Sequence, residues 1–198
     1  MNGQTARRYI AIDLARGVAL VAMASYHLIF DLEMFGMVEP GTASSVPWKP
    51  YARAIATTFL MLVGASIYLA YGAVRSTTEV LLSWKWQRRF LMILAAAMLN
   101  TIVTILATPN TFIFFGILHQ IALASVLALF FRRFTIWALF AAASVSIALP
   151  NLISFDTLIG YHGWWVGLAS LRPISSDYVP VFPWFGAVLL GLAAAKLA

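Results

Sequence analysis

Six runs of apolar residues mark the chain, at residues 9–35, 51–73, 90–107, 112–131, 134–153 and 181–197. As helices rising about 1.5 Å per residue, each is about long enough to cross a hydrocarbon core of roughly 30 Å. The pattern predicts an all-α, polytopic helical membrane protein of about six transmembrane helices. It shows no internal repeat and no low-complexity tract, so residues 1–198 read as one domain. Thr108-Pro109-Asn110-Thr111 separates the third and fourth runs, and its turn chemistry predicts an antiparallel hairpin. Pro150 closes the fifth.

The first run differs from the others in carrying an ionisable stripe. It reads RRYIAIDLARGVALVAMASYHLIFDLEMFG from Arg7 to Gly36. On a helix turning about 100° per residue, Asp13 and Asp31 point the same way, and Arg16, Gly17, Ala24 and His27 fall within about 60° of them. Leu20 is the one bulky apolar member of that face. Such a helix turns an oily back to lipid and a polar seam inward. Ionisable groups inside a membrane are costly, so they pair or work.

Composition confirms the class. The chain is 62% hydrophobic and 10% charged, with a mean hydropathy of +0.88, which is the balance of an integral, multi-pass membrane protein. The basic pI then reports topology, not nucleic-acid binding. Nine cations (Arg7, Arg8, Arg75, Lys85, Arg88, Arg89, Arg132, Arg133 and Lys196) fall on one side of the six spans, and Lys49, Arg53 and Arg172 on the other. That asymmetry puts both termini in the cytoplasm, and in a bacterium it puts the protein in the inner membrane. Arg7-Arg8 ahead of an apolar run ending in Ala22-Met23-Ala24 invites comparison with a secretory leader. The uninterrupted part, Gly17 to Ala24, is barely long enough, and further spans follow, so the first helix reads as uncleaved. With no cysteine, disulfides, thiolate metal sites and a cysteine nucleophile are excluded. No metal is expected.

Two connections carry more than linker chemistry. Residues 76–89, STTEVLLSWKWQRR, mix Leu and Trp with cations and read as a cytoplasmic interfacial anchor; a cationic rim for an anionic ligand is the alternative. Residues 151–180 are external and contain Tyr161-His162-Gly163-Trp164-Trp165. These read as an aromatic belt, with a lid or acceptor platform as the alternative.

Counting turns from the span ends places polar residues at two depths. His27, Asn100, His119 and Gln120 lie about two turns below the external ends of their helices. Asp13 and Arg16 lie in the inner half, with Arg88 and Arg89 at the cytoplasmic mouth of the third span. Asp13 and Arg16, three apart, suit either an ion pair or a ligand site. His27 and Asp31, four apart, suit a general base whose carboxylate holds one ring nitrogen as N–H, or an acyl-accepting imidazole. The alternative is a buried structural pair. His119 divides evenly between a packing histidine and a functional one, and His162 reads as structural. Arg16 to His27 spans about 16 Å of helix, comparable to the pantetheine arm of coenzyme A.

A family resemblance emerges from these residues. Arg8-x-x-x-Ile12-Asp13-x-x-Arg16-Gly17, then His27-x-x-Phe30-Asp31-Leu32, resembles the start of bacterial membrane proteins related to heparan-α-glucosaminide N-acetyltransferase. Further matches follow in order: Phe59-Leu60-Met61-Leu62-Val63-Gly64-Ala65-Ser66, Trp86-x-x-Arg89-Phe90, Phe115-Gly116-Ile117-Leu118-His119-Gln120-Ile121-Ala122 and Pro183-Trp184-Phe185-Gly186. The Arg-Gly…His spacing is also similar to that of the wider membrane acyltransferases that O-acylate surface sugars. The resemblance implies transfer of an acyl group from cytoplasmic acetyl-CoA to an extracytoplasmic sugar amine or hydroxyl. The lysosomal enzyme carries asparagine where His27 stands, and the position of its later histidine is Val38 here. His27 matches instead the histidine of the bacterial acyltransferases. Relatives usually continue beyond a sixth span, where this chain ends.

The expected roles follow. His27, Asp31 and His119 are the catalytic candidates. Asp13, Arg16, Arg88 and Arg89 are the candidates for holding acetyl-CoA. Asn100, Gln120, Arg53 and Trp184 are the candidates for the acceptor. Membrane lipids, acyl-CoA and an extracytoplasmic saccharide are the expected partners, with a homo-oligomer left open. Two other classes compete: a haem-binding electron carrier ligated by His27 and His119, and a solute or lipid carrier using the polar seam. The haem reading leaves Asp31 and the Arg16 layer unexplained. The carrier reading lacks a repeat and a mid-span proline. An inactive scaffold of the same fold is the last alternative.

Overall fold

The computed structural model describes residues 10–74, 76–155 and 160–198. Arg7, Arg8 and Arg75, counted above for topology, lie outside the described residues, as does the start of the first run at Tyr9. The described chain is all-α: α1 (Ile10–Met34), α2 (Trp48–Tyr71), α3 (Thr77–Leu82), α4 (Trp84–Ala107), α5 (Ile117–Phe131), α6 (Ile136–Leu152), α7 (Tyr161–Trp164) and α8 (Val181–Leu197). A single isolated bridge, Phe155 to Ala169, is the only extended pairing among these residues.

Three helices, α1, α2 and α4, are long and apolar enough to cross a membrane. The fourth, fifth and sixth apolar runs form shorter helices, α5, α6 and α8, of 15, 17 and 17 residues. Their shortness has local causes. Residues 112–116, expected as the first turn of the fourth span, are not helical. In α8 the second residue, Phe182, leaves helical geometry at φ −98°, ψ 131°, so the regular helix begins at Pro183, where a missing N–H costs nothing. The third run, in contrast, starts earlier than expected. Ser83 ends α3 and precedes α4, so Trp84–Arg89 are helical and the cations Lys85, Arg88 and Arg89 belong to α4 itself. Ser76 caps α3 by accepting from the Glu79 N–H at 3.3 Å.

The chain divides into two compact units, Met1–Leu62 and Val63–Ala198. In the first, the Ser25 and Tyr51 hydroxyls meet at 2.8 Å and tie α1 to the start of α2. The Glu33 carboxylate accepts the Gly41 and Ala43 N–H groups, each at 2.7 Å, and so organises the turn between them.

In the second unit small residues let helices approach closely. A Cβ at Gly64 would overlap the Val188 carbonyl and lie 2.9 Å from the Leu192 nitrogen, so the end of α2 packs directly on the α8 backbone. Arg132 joins the cationic end. It is 1% exposed, and its guanidinium donates to the Tyr71 carbonyl (3.1 Å), the Val74 carbonyl (3.0 Å), the Thr77 hydroxyl (2.8 Å) and the Leu129 carbonyl. These carbonyls include ends of α2 and α5, which have no helical partner and carry the negative end of the helix dipole. Lys196 at the end of α8 donates to the Phe134 carbonyl at 2.7 Å. The C-terminal ends of α2, α5 and α8 thus gather with the start of α6.

Candidate functional site

The expected site residues divide between the two units. Asp13, Arg16, His27, Asp31 and Arg53 belong to the first; Arg88, Arg89, Asn100, His119, Gln120 and Trp184 belong to the second.

On α1 the inner pair forms as a local contact: Arg16 Nη1 lies 3.3 Å from Asp13 Oδ1, with both side chains about 40% exposed. This is the i, i+3 geometry that spacing predicted. His27 and Asp31 are exposed. The two make no hydrogen bond or ion pair with each other among the described residues. The His27 ring instead meets Tyr26 edge-on at 6.0 Å. Arg53 is exposed on α2.

At the cationic end of the second unit, Arg88 and Arg89 are exposed in the first turns of α4. Arg89 lines a small cleft with Ile67, Tyr71, Trp86, Phe90, Ile93 and Ser125. Trp86 and Phe90 stack at 5.1 Å and 7°. One flat aromatic pair and one guanidinium therefore line a common cleft with the side chains of Tyr71 and Ser125.

The opposite end is built around His119. Its Nδ1 accepts the Gly116 N–H at 3.3 Å. Its Nε2 lies 3.3 Å from Thr101 Oγ1, and the Thr101 hydroxyl donates its own proton to the Ile113 carbonyl at 2.6 Å. The two ends together assign the neutral tautomer with its proton on Nε2. Thr104 Oγ1 accepts the Ile113 N–H at 3.0 Å. Two threonines of α4 thereby satisfy the backbone of the non-helical segment, which is the condition for irregular backbone inside a membrane protein. Asp177 closes the same node from a distant loop. Its Oδ2 accepts the Ile117 N–H at 2.7 Å, supplying a carboxylate to the N-terminus of α5. A Cβ at Gly116 would overlap that carboxylate oxygen, so only glycine fits there. Gln120, one residue beyond His119, is wholly buried with both amide atoms unbonded. Asn100, beside Thr101, is half-buried, as is Trp184 in the first turn of α8.

Beyond this node stands a cluster of rings. Tyr161 packs at 5.7, 5.4 and 5.3 Å on Phe112, Phe114 and Trp164, and Phe114 stacks on Tyr178 at 5.9 Å. The Tyr178 hydroxyl donates to the Trp164 carbonyl at 2.6 Å. Burial pushes the Tyr178 pKa up, partly offset by the charge of Arg172.

Residues 8–198 match the family model of the heparan-alpha-glucosaminide N-acetyltransferase catalytic domain. The chain belongs to that family. No curated protein and no solved structure matches it. Membership in a family of N-acetyltransferases implies a transferase, and the long apolar helices make it an integral membrane protein. Several motif residues of this acetyltransferase-family chain now have physical reasons. Gly64 permits the α2–α8 approach, and Gly116 makes room for Asp177. Thr101, Asp177 and Arg132 were not singled out from sequence as anything beyond, for Arg132, a topology cation. The glycine and histidine of Phe115-Gly116-Ile117-Leu118-His119 were the only signals of a crowded node, and no sequence spacing names the partner sixty residues away.

Proposed function

We propose that the protein transfers an acyl group, acetyl in the first instance, from cytoplasmic acyl-CoA to a sugar amine or hydroxyl on the other side of the membrane. The observation that carries this reading is the family match across residues 8–198. His27 acts as the base. Of the two histidines within apolar helices, His119 has both ring nitrogens engaged, whereas His27 makes no hydrogen bond among the described residues. An imidazole of that kind can take the proton from the acceptor N–H or O–H as the acceptor attacks the thioester carbonyl. The tetrahedral intermediate then collapses, the C–S bond breaks, and the imidazolium returns the proton to the departing CoA sulfur. Asp31 stabilises the imidazolium through its charge.

Arg16 and Arg89 are the proposed phosphate-binding cations, and Arg88 precedes Arg89 in α4. Asp13 holds Arg16 extended until an anion competes for it. The stacked Trp86 and Phe90 beside Arg89 offer a flat apolar surface next to a phosphate-binding cation. Asn100, Gln120, Arg53 and Trp184 serve the acceptor side, and His119 shapes that side without exchanging protons. Both termini lie in the cytoplasm. The deciding experiment is equilibrium binding of radiolabelled acetyl-CoA to protein in nanodiscs. The parent binds, and Arg16→Gln weakens binding about tenfold or more, the loss of one charge-assisted contact. Equal binding by parent and Arg16→Gln would make the α1 pair purely structural. No binding by the parent would sink the donor assignment.

A further inference from the structure

Tyr161 and Trp165 are 57% and 39% exposed, yet both rings are held in place. Trp165 follows α7 in helical geometry, at φ −60°, ψ −23°. Four residues of helix set the two Cα atoms on one side, about 6 Å apart along the axis, close to the length of one hexose unit. Tyr161 is backed by Phe112, Phe114 and Trp164, and Trp165 by Phe115 at 6.3 Å. The backbone behind them is pinned to the start of α8, where Val181 and Phe182 donate to the Trp165 and Val166 carbonyls at 2.9 Å each.

Aromatic residues at this end of a membrane protein are ordinarily an interfacial belt, in which the indole N–H reaches headgroups and water. Trp165 departs from that use. Its Nε1 donates to the His162 carbonyl at 2.9 Å, so its one polar atom is spent inside the protein and the ring offers only its face. Trp164 Nε1 is buried and has no partner, so it too reaches no headgroup. Rigid, exposed π-faces suit a ligand with an apolar C–H surface and a polar rim. The axial C–H edge of a pyranose carries partial positive charge and meets the negative face of the ring.

We propose that Tyr161 and Trp165 form a saccharide-binding platform that receives two adjacent sugar units of the acceptor. The assignment rests on the acyl-transfer reading for its purpose, but not for its geometry.

The test is saturation-transfer NMR on the whole chain in nanodiscs, irradiating aromatic protons. The probes are methyl β-glucosaminide and a β-1,4-linked glucosamine disaccharide, and acetyl-CoA binding is measured on the same preparation. The parent transfers saturation to the C–H edge of both sugars and binds the disaccharide more tightly. Tyr161→Leu and Trp165→Leu keep an apolar surface without a π-face, and each weakens disaccharide binding about five- to tenfold. Tyr161→Phe binds as the parent does. Leucine variants that match the parent would overturn the platform. A parent that binds acetyl-CoA but receives no transfer to either sugar does the same without recourse to any variant, and leaves the donor reading standing. A parent that binds sugar but no acetyl-CoA keeps the platform and sinks the acyl-transfer function.

Discussion

Helices α1 and α5 each carry a histidine within an apolar run, and they treat it in opposite ways. In α1 one residue of 25, Ala19, is buried, and the Asp13–Arg16 contact lies within the helix itself. In α5 seven of 15 residues are buried, and His119 is bound at both nitrogens by atoms from the α4–α5 hairpin. A side chain with every hydrogen bond made is costly to reprotonate or move, because each change strands a partner. A side chain with none can exchange a proton without disturbing the fold. On the function proposed above, the contrast sets a histidine left for chemistry against one spent on its bonds.

The largest expected effect tests the first half of that contrast. His27→Ala should lower the transfer rate about 10²- to 10⁴-fold, the usual worth of a general base. Acetyl-CoA binding and thermal unfolding should stay at parent values. A folded His27→Ala protein with normal turnover would remove this residue from the chemistry.

Next is the buried guanidinium of the well-bonded unit. Arg132→Met strands the Val74 and Leu129 carbonyls and leaves the Tyr71 carbonyl with the Val74 N–H alone. A stability loss of about 2–4 kcal/mol is expected, read as an earlier unfolding midpoint in detergent. An unchanged midpoint would mean that water or lipid replaces those bonds.

His119→Ala sharpens the comparison directly. It removes the acceptor for the Gly116 N–H and the donor to Thr101, at about 1–3 kcal/mol of stability, while the transfer rate falls less than tenfold. If instead the fold is untouched and the rate falls as far as in His27→Ala, the two histidines share the chemistry and the contrast fails.

The smallest effect is at Asp31. Asp31→Asn keeps the imidazole of His27 but removes a nearby negative charge, and about a three- to tenfold slowing is expected. A rate equal to the parent's would detach Asp31 from His27.

Sequence alone determined that this is an all-α membrane protein, which family it belongs to, and roughly where its six apolar helices lie, but not the early start of α4, the late start of α5 or the short helices α3 and α7. Hydropathy and motif order are properties of the chain read linearly, and so is the i, i+3 spacing that foretold the Asp13–Arg16 contact. It could also nominate His27 and His119, but it left His119 evenly divided between structure and function. Only the tertiary structure decided that residues 112–116 are not helix, because threonines on α4 bond both backbone groups of Ile113 and Ser175 and Val179 bond the Phe112 and Phe115 carbonyls, satisfying a backbone that local propensity would have coiled. Contacts of the same kind decided the tautomer of His119, the need for glycine at 116 and the burial of Arg132. Each depends on an atom from a segment distant in sequence, and periodicity reports which face of a helix a residue occupies without saying what that face will meet.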